Sequence, residues 1–433
     1  MEDMERTTVA VTGGTGFLGR VVLRTLDDHG YRVAALVRGA HADAPGASRI
    51  VEGDITDYKS LVRLVVGVHT VVHLAAAKSD ELESRAVNVD GMRNLIEACR
   101  KEKVSRIIYV STASAKIARK GTYAATKEEA ETLLKESGLE WVILRPSVIY
   151  GDLESGVFGS LAKVARFPFI PVIGDGSWVS WPIHVDDVAH AIAVALKHNT
   201  VLGKMYDVGG PDAISFDNLV QKIRADVYKK PPGHILHIPV RFALFLARVL
   251  KRLLRKSPIT ESNVLGSTQQ IAWNGEGFFK DFGFIPRPLS QGLADIARAR
   301  ETSEADILFT YIYSRSGHTY RRSGELVQRY EDALKQNNLP PIHPLLVRRP
   351  FLIGFFDAGT ALFRPASGLQ QRILIASALA ETSPESARWL LPRNRTMLAL
   401  FWYTLVLCAS AGVKIVGSLC VALIPRLTQT YAR

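Results

Sequence analysis

The stretch TVAVTGGTGFLGRVVLRTL, residues 8–26, runs from a short β-branched segment through clustered glycines into an apolar helical pattern. A strand that passes straight into a helix meets its next strand as a parallel neighbour, across a right-handed crossover. The same alternation continues in RVAALVR, TVVHLAA, RIIYVST and WVILRPSVIYG, with helical segments such as VDGMRNLIEACRKE between them. Residues 7–150 are therefore expected to form an α/β, doubly wound parallel sheet with helices on both faces. Residues 151–300 are more mixed, with helical SGVFGSLAKVARF, HVDDVAHAIAVALKH and FDNLVQKIRADVY around a strand-like KMYDVGG, and read as a smaller C-terminal substrate lobe.

Within the first turn, Gly13, Gly16 and Gly19 stand at GxxGxxG spacing. The first permits a tight turn, the second lets backbone approach a pyrophosphate, and the third lets the helix pack closely. The helix N-terminus then offers unpaired N–H groups to negative charge. A glycine triplet alone is a weak signal; between a strand and a helix it is a strong one.

A formal charge of +12 invites a nucleic-acid reading. Much of the basic excess, however, follows residue 245 in segments such as KRLLRK and LVRRPF, interleaved with large apolar residues, which suits an anionic membrane surface better. No nucleic-acid partner is expected. Three scattered cysteines, Cys99, Cys408 and Cys420, suggest neither a disulfide framework nor a metal site, and the start of the chain lacks a secretory signal pattern. HIPVRFALFLARVLKRLLRK, residues 237–256, reads as an apolar and basic helix, packed on the second lobe or lying at a lipid interface. Residues 301–345 are polar and read as a linker with a connecting helix, and 346–433 as an α-helical membrane-associated tail. A spanning helix needs about 20 mainly apolar residues, and one is expected at about 397–418, a hairpin in one leaflet being the alternative. The arginines flanking it favour the large N-terminal part on the cytoplasmic face of the inner membrane.

Further stretches occur in order: GDITD at 53–57, HLAA at 73–76, NVDGMRNLIEA at 88–98, YVST at 109–112, YAATK at 123–127, LRPSVIYG at 144–151 and HVDDVA at 184–189. With TGGTGFLG they make residues 8–300 resemble the extended or atypical branch of the short-chain dehydrogenase/reductase superfamily, the NAD-dependent epimerase/dehydratase-like proteins. The short interval between YVST and YAATK and the late DFGFIPRPLSQGLAD resemble most closely the group related to the NADPH-binding accessory subunit of respiratory complex I.

The resemblance implies a nicotinamide nucleotide. Gly13, Gly16, Phe17 and Leu18 would line its pyrophosphate, Asp54 and Ile55 its adenine, Ala75 and Ala76 its ribose, and Pro146 the nicotinamide side. At the end of the second strand, Arg38 stands where an acid would favour NAD(H), and its guanidinium favours NADP(H) through a 2′-phosphate. Tyr123 and Lys127, i and i+4 on one helix face, are the expected proton donor and the cation that lowers its pKa and holds the ribose. Thr112 would orient the substrate oxygen, with Ser111 or Ser114 able to replace it. The implied activity is an NAD(P)(H)-dependent oxidoreductase acting on a hydrophobic or membrane-delivered carbonyl or alcohol. A non-catalytic NADPH-binding accessory protein of a membrane complex is the alternative, and a sugar-nucleotide epimerase or dehydratase a further one. His184, Asp186 and Asp187 are expected to serve a helix start, with no metal. Trp178 and Trp181 are expected in the core or beside the substrate pocket.

Overall fold

The structure, a computed structural model, describes residues 8–39, 44–78, 81–253, 261–266, 268–300, 303–315, 320, 324–339, 342–354 and 368–381. The chain divides into two compact units, Met1–Arg298 and Ala299–Arg433.

The first unit is built on a seven-stranded parallel sheet. Its strands are β1 (Thr8–Thr12), β2 (Arg32–Val37), β3 (Arg49–Glu52), β4 (Thr70–His73), β5 (Arg106–Val110), β6 (Glu140–Pro146) and β7 (Lys204–Val208). The spatial order is β7-β6-β5-β4-β1-β2-β3, which reverses direction between β1 and β4. In open α/β sheets, that reversal opens the crevice in which ligands sit. β3 escapes the sequence reading because RIVE begins and ends on a charged residue, which leaves only Ile50 and Val51 as a strand signal.

Period-two alternation divides the strands between two cores. Val9, Val11, Ile108, Val142 and Leu144 face one side, with Leu23 and Leu26 of α1 (Phe17–Asp28). Ala10, Ile107, Tyr109 and Ile143 face the other. There they meet Leu61 and Leu64 of α2 (Tyr58–Val65), Met92 and Leu95 of α3 (Gly91–Lys101), and Leu134 of α4 (Thr122–Lys135).

The second lobe of this unit has its own core, in which Phe158 and Leu161 of α5 (Gly156–Ala165) meet Leu219 and Ile223 of α7 (Phe216–Asp226), with Leu289 and Leu293 beside them. Between them in sequence, α6 (Val185–Lys197) returns to the main sheet. A parallel ribbon pairs Phe169–Ile173 with His234–Ile238, and α8 (Val240–Leu253) follows it. The first residues of the expected helix at 237–256 thus belong to a strand.

In the second unit, helices Glu304–Arg315, Gly324–Gln336 and Gly368–Glu381 share a core containing Leu308, Phe309, Tyr330 and Ala376. Glu304 accepts from the Tyr330 hydroxyl and the Ile342 N–H, both at 2.9 Å, and pairs with buried Arg372. Residues 301–345, expected as a polar connection, therefore contribute to a packed core, because Phe309, Ile312 and Tyr330 supply apolar faces that the surrounding charge hides. The span expected at 397–418 lies outside the described residues. Among the described residues no helix is long and apolar enough to cross a membrane.

Candidate cofactor and active site

The loops after β1 and β4 meet at the reversal of the sheet. Gly13 has φ +74°, and a Cβ there would fall 2.6 Å from the Ala75 nitrogen. A Cβ on Gly19 would fall 2.1 Å from the Gly13 oxygen, so α1 lies directly on the turn. The N-terminus of α1 has no side-chain cap and no acid in its first turn. Its N–H groups are left for an anion, as a pyrophosphate requires.

Gly13, Gly16, Arg38, Asp54, Ile55, Ala75 and Ala76 all line one cleft, together with Thr15, Leu36 and Lys78. Leu18 instead packs towards the core, and the Phe17 ring lies near Gly151. What these two have for a phosphate is backbone. Ile55 is buried against Gly91. Pro146 ends β6 opposite Val208 of β7.

Tyr123, Lys127 and Glu131 follow one another at i, i+4 and i+8 on α4. The buried Lys127 ammonium donates to the Val110 oxygen at 2.7 Å and lies 4.3 Å from the Tyr109 ring centre. Burial, followed by the charge of Lys78, pulls its pKa down to about 7, against the opposing pull of Glu131. Burial pushes the Tyr123 phenol up to about 12, opposite to the direction expected from its lysine neighbour. A low-dielectric surrounding disfavours both charged forms, which makes Tyr123 a held proton rather than a phenolate. Glu131, itself buried, takes Arg145 in a bidentate pair at 2.9 and 2.5 Å, so Arg145 braces α4 against β6.

Thr112 caps the short turn Ala113–Lys116, accepting from Ser114 N–H at 3.3 Å and sharing a 2.9 Å contact with its hydroxyl. The neighbouring Ser111 hydroxyl is buried without a partner. Of the two, Ser111 is the one whose hydrogen-bonding capacity is unspent.

Three residues escaped the sequence reading. Lys78 places its ammonium 4.8 Å from the Tyr123 ring centre, and desolvation lowers its pKa. Asn88, in a wide turn at Ala86–Asp90, binds both backbone groups of Ala77 at 2.9 and 3.0 Å and the Thr126 hydroxyl at 2.9 Å. It ties the β4 loop to α4, and its signal was the NVDG motif. His73, buried at the end of β4, stacks on Tyr109 with centroids 5.3 Å apart.

His184 rather than an aspartate caps α6, through Asp186 N–H at 3.3 Å. Asp187 accepts from Arg287 N–H and its guanidinium at 3.0 to 3.2 Å, which explains the acids structurally. His237 pairs with Asp217 at 2.9 Å. Among the described residues no group of three or more His, Cys, Asp or Glu has the arrangement of a metal site. Trp178 packs on Phe216 and Trp181 on Trp273, with centroids 4.6 and 4.9 Å apart.

Residues 9–209 match the NAD dependent epimerase/dehydratase family. Over these residues the chain is similar to the extended short-chain dehydrogenases/reductases. It is 36% identical over 203 residues to a ceramide reductase of Caulobacter vibrioides, spanning 46% of this chain and 63% of that protein. It is 27% identical to a 2-alkyl-3-oxoalkanoate reductase of Stenotrophomonas maltophilia, over 66% of this chain and 97% of the relative. A mitochondrial NADH dehydrogenase 1 alpha subcomplex subunit 9 of Arabidopsis thaliana is also 27% identical, over 64% and 74%. The fold is shared with UDP-glucose 4-epimerase of Thermus thermophilus in complex with NAD, at 23% identity and a TM-score of 0.52, covering 68% of this chain and all of that one. The chain thus spans less than two thirds of the ceramide reductase, and the family match ends at residue 209, within the first unit.

Proposed function

We propose that the protein is an NADP(H)-dependent oxidoreductase that reduces, or forms, a carbonyl on a hydrophobic substrate. The observation that carries this reading is the Tyr123–Lys127 pair, one helical turn apart beside the cofactor cleft, with Lys127 buried and Tyr123 partly buried. The names of the two reductase relatives support it, since both denote reduction on lipid-like chains. The bound nucleotide supplies or accepts the hydride. Tyr123, protonated at neutral pH, gives the carbonyl oxygen its proton, and Lys127, whose ammonium gives up its proton more readily because it is buried beside Lys78, is suited to hold the ribose and to relay the replacement proton. Ser111 or Thr112 orients the oxygen. Arg38, lining the cleft at the end of β2, favours a 2′-phosphate.

The uncharged run 397–413 and the basic residues before it support attachment to the cytoplasmic face of the inner membrane, where such a substrate is delivered. A second reading, a non-catalytic NADPH-binding subunit of a membrane assembly, is favoured by the likeness to the complex I subunit. The test is consumption of NADPH with long-chain ketones, comparing the native chain with Tyr123→Phe. Turnover by the native chain that the variant lacks supports the enzyme. Equal, non-zero rates overturn Tyr123 as the proton donor, and no turnover with a cofactor that never exchanges supports the second reading.

A further inference from the structure

The loop between Thr112 and Tyr123 is short, and both of its ends carry candidate active-site hydroxyls. Its first half is held by its own turn, through Ala115 N–H to Thr112 O and Ile117 N–H to Ser114 O. The second half, Ala118–Lys120, leads into α4 and leans on a segment far along the chain. The Gln269 side chain accepts from Arg119 N–H at 3.0 Å and donates to Arg119 O at 2.9 Å. Its other amide proton goes to Leu265 O at 2.9 Å, so both donors are used and the amide plane is fixed.

The next residues repeat the device on other strands. Gln270 pairs with both backbone groups of Val179, at 2.8 and 3.3 Å. Trp273 stacks on Trp181 with planes 9° apart. Asn274 N–H donates to Asp207 at 3.0 Å, and the same carboxylate oxygen takes Lys116 of the short loop at 2.5 Å. The helix Glu261–Gly266 packs against α4 itself. The loop is thus tied to this segment directly at Arg119, and at Lys116 only through the Asp207 carboxylate of β7 that Asn274 shares.

We infer that Gln269–Asn274 is a strap that props the 113–121 loop, and that Gln269 is a positioning residue for Tyr123. The positioning role rests on the proposed oxidoreductase reading; the prop itself does not. Arg119 and Lys120 are natural cleavage points for trypsin, and a backbone held in a two-way amide pair resists the local opening that cleavage needs.

The experiment is timed tryptic digestion of the full chain, with the cut sites read by mass spectrometry, for the native protein, Gln269→Ala and Gln270→Ala. We expect cleavage at Arg119 and Lys120 about tenfold faster in Gln269→Ala and unchanged in Gln270→Ala. Equal cleavage in all three overturns the prop. In the NADPH assay, Gln269→Ala should lower kcat about tenfold at an unchanged NADPH Kd. Faster cleavage with native kcat overturns the positioning role. Should the chain reduce nothing, the oxidoreductase reading fails while the digestion still decides the prop.

Discussion

The Thr12 hydroxyl and the Nδ1 of His73 lie 2.6 Å apart, joining the ends of β1 and β4 beneath the cofactor cleft. Thr12 also accepts from Ala75 N–H at 3.4 Å, and which of Thr12 and His73 donates in their own hydrogen bond is set by the imidazole tautomer. That Nε2 is buried without a partner. Burial, and then the charge of Lys127, pull the His73 pKa down to about 3. The unfolded chain, with histidine near 6.5, binds the proton that the folded chain refuses, so stability falls as pH drops from about 6.5 towards 3. The loss should be on the order of a few kcal/mol, and denaturant titrations across that range should show it shrinking in His73→Phe.

Lys127 has the same sign in a different window. Its folded pKa of about 7 lies below the ordinary 10.5, so the unfolded chain holds more protons between them and stability rises with pH across that interval. Lys127→Met should remove this rise and leave the protein no less stable at neutral pH, while weakening NADPH binding. Melting curves at neutral and alkaline pH test it. A rise that persists in the variant would assign the titration elsewhere.

The glycine turn has no room for methyl groups. Gly13→Ala places a Cβ at φ +74° against the Ala75 backbone, and Gly19→Ala drives one into the Gly13 carbonyl. Each should cost roughly 2–4 kcal/mol and abolish cofactor binding. Gly30→Ala, at φ +81° but in open space, should cost only about 1 kcal/mol. Thermal unfolding of the three variants compares them directly.

Arg38 decides cofactor choice in this account. Arg38→Ala should weaken NADPH binding about tenfold and leave NADH binding within twofold, the loss of one charge-assisted contact. Titrations with both nucleotides measure the ratio. Equal losses would mean that Arg38 does not meet a 2′-phosphate.

Much of the first unit was legible because its elements carry strong local signals. The β-branched runs of β1, β2, β4, β5 and β6, the glycine turn and the Tyr–Lys spacing all depend on residues close in sequence. Lys78 was not legible, because a loop lysine after a strand has no periodicity to mark it. Glu131 reads as an ordinary helical acid until β6 brings Arg145 beside it. Gln269 meets Arg119 across 150 residues, a pairing set by the tertiary fold alone. His184 took the capping role expected of the acids because Asp187 is turned towards Arg287. The helix at 324–336 looks polar because only one stripe of it is apolar, whereas 304–315 is apolar around most of its circumference and was hidden only by the charged residues on either side of it.

The central claim is a nicotinamide cofactor that turns over on a hydrophobic carbonyl. The most direct measurement follows the exchange and consumption of labelled NADPH by the detergent-purified chain, with and without a long-chain ketone, beside Tyr123→Phe. The account predicts rapid exchange in both proteins and ketone-dependent consumption in the native chain alone. Cofactor retained through prolonged dialysis, with no consumption by either protein, would contradict it.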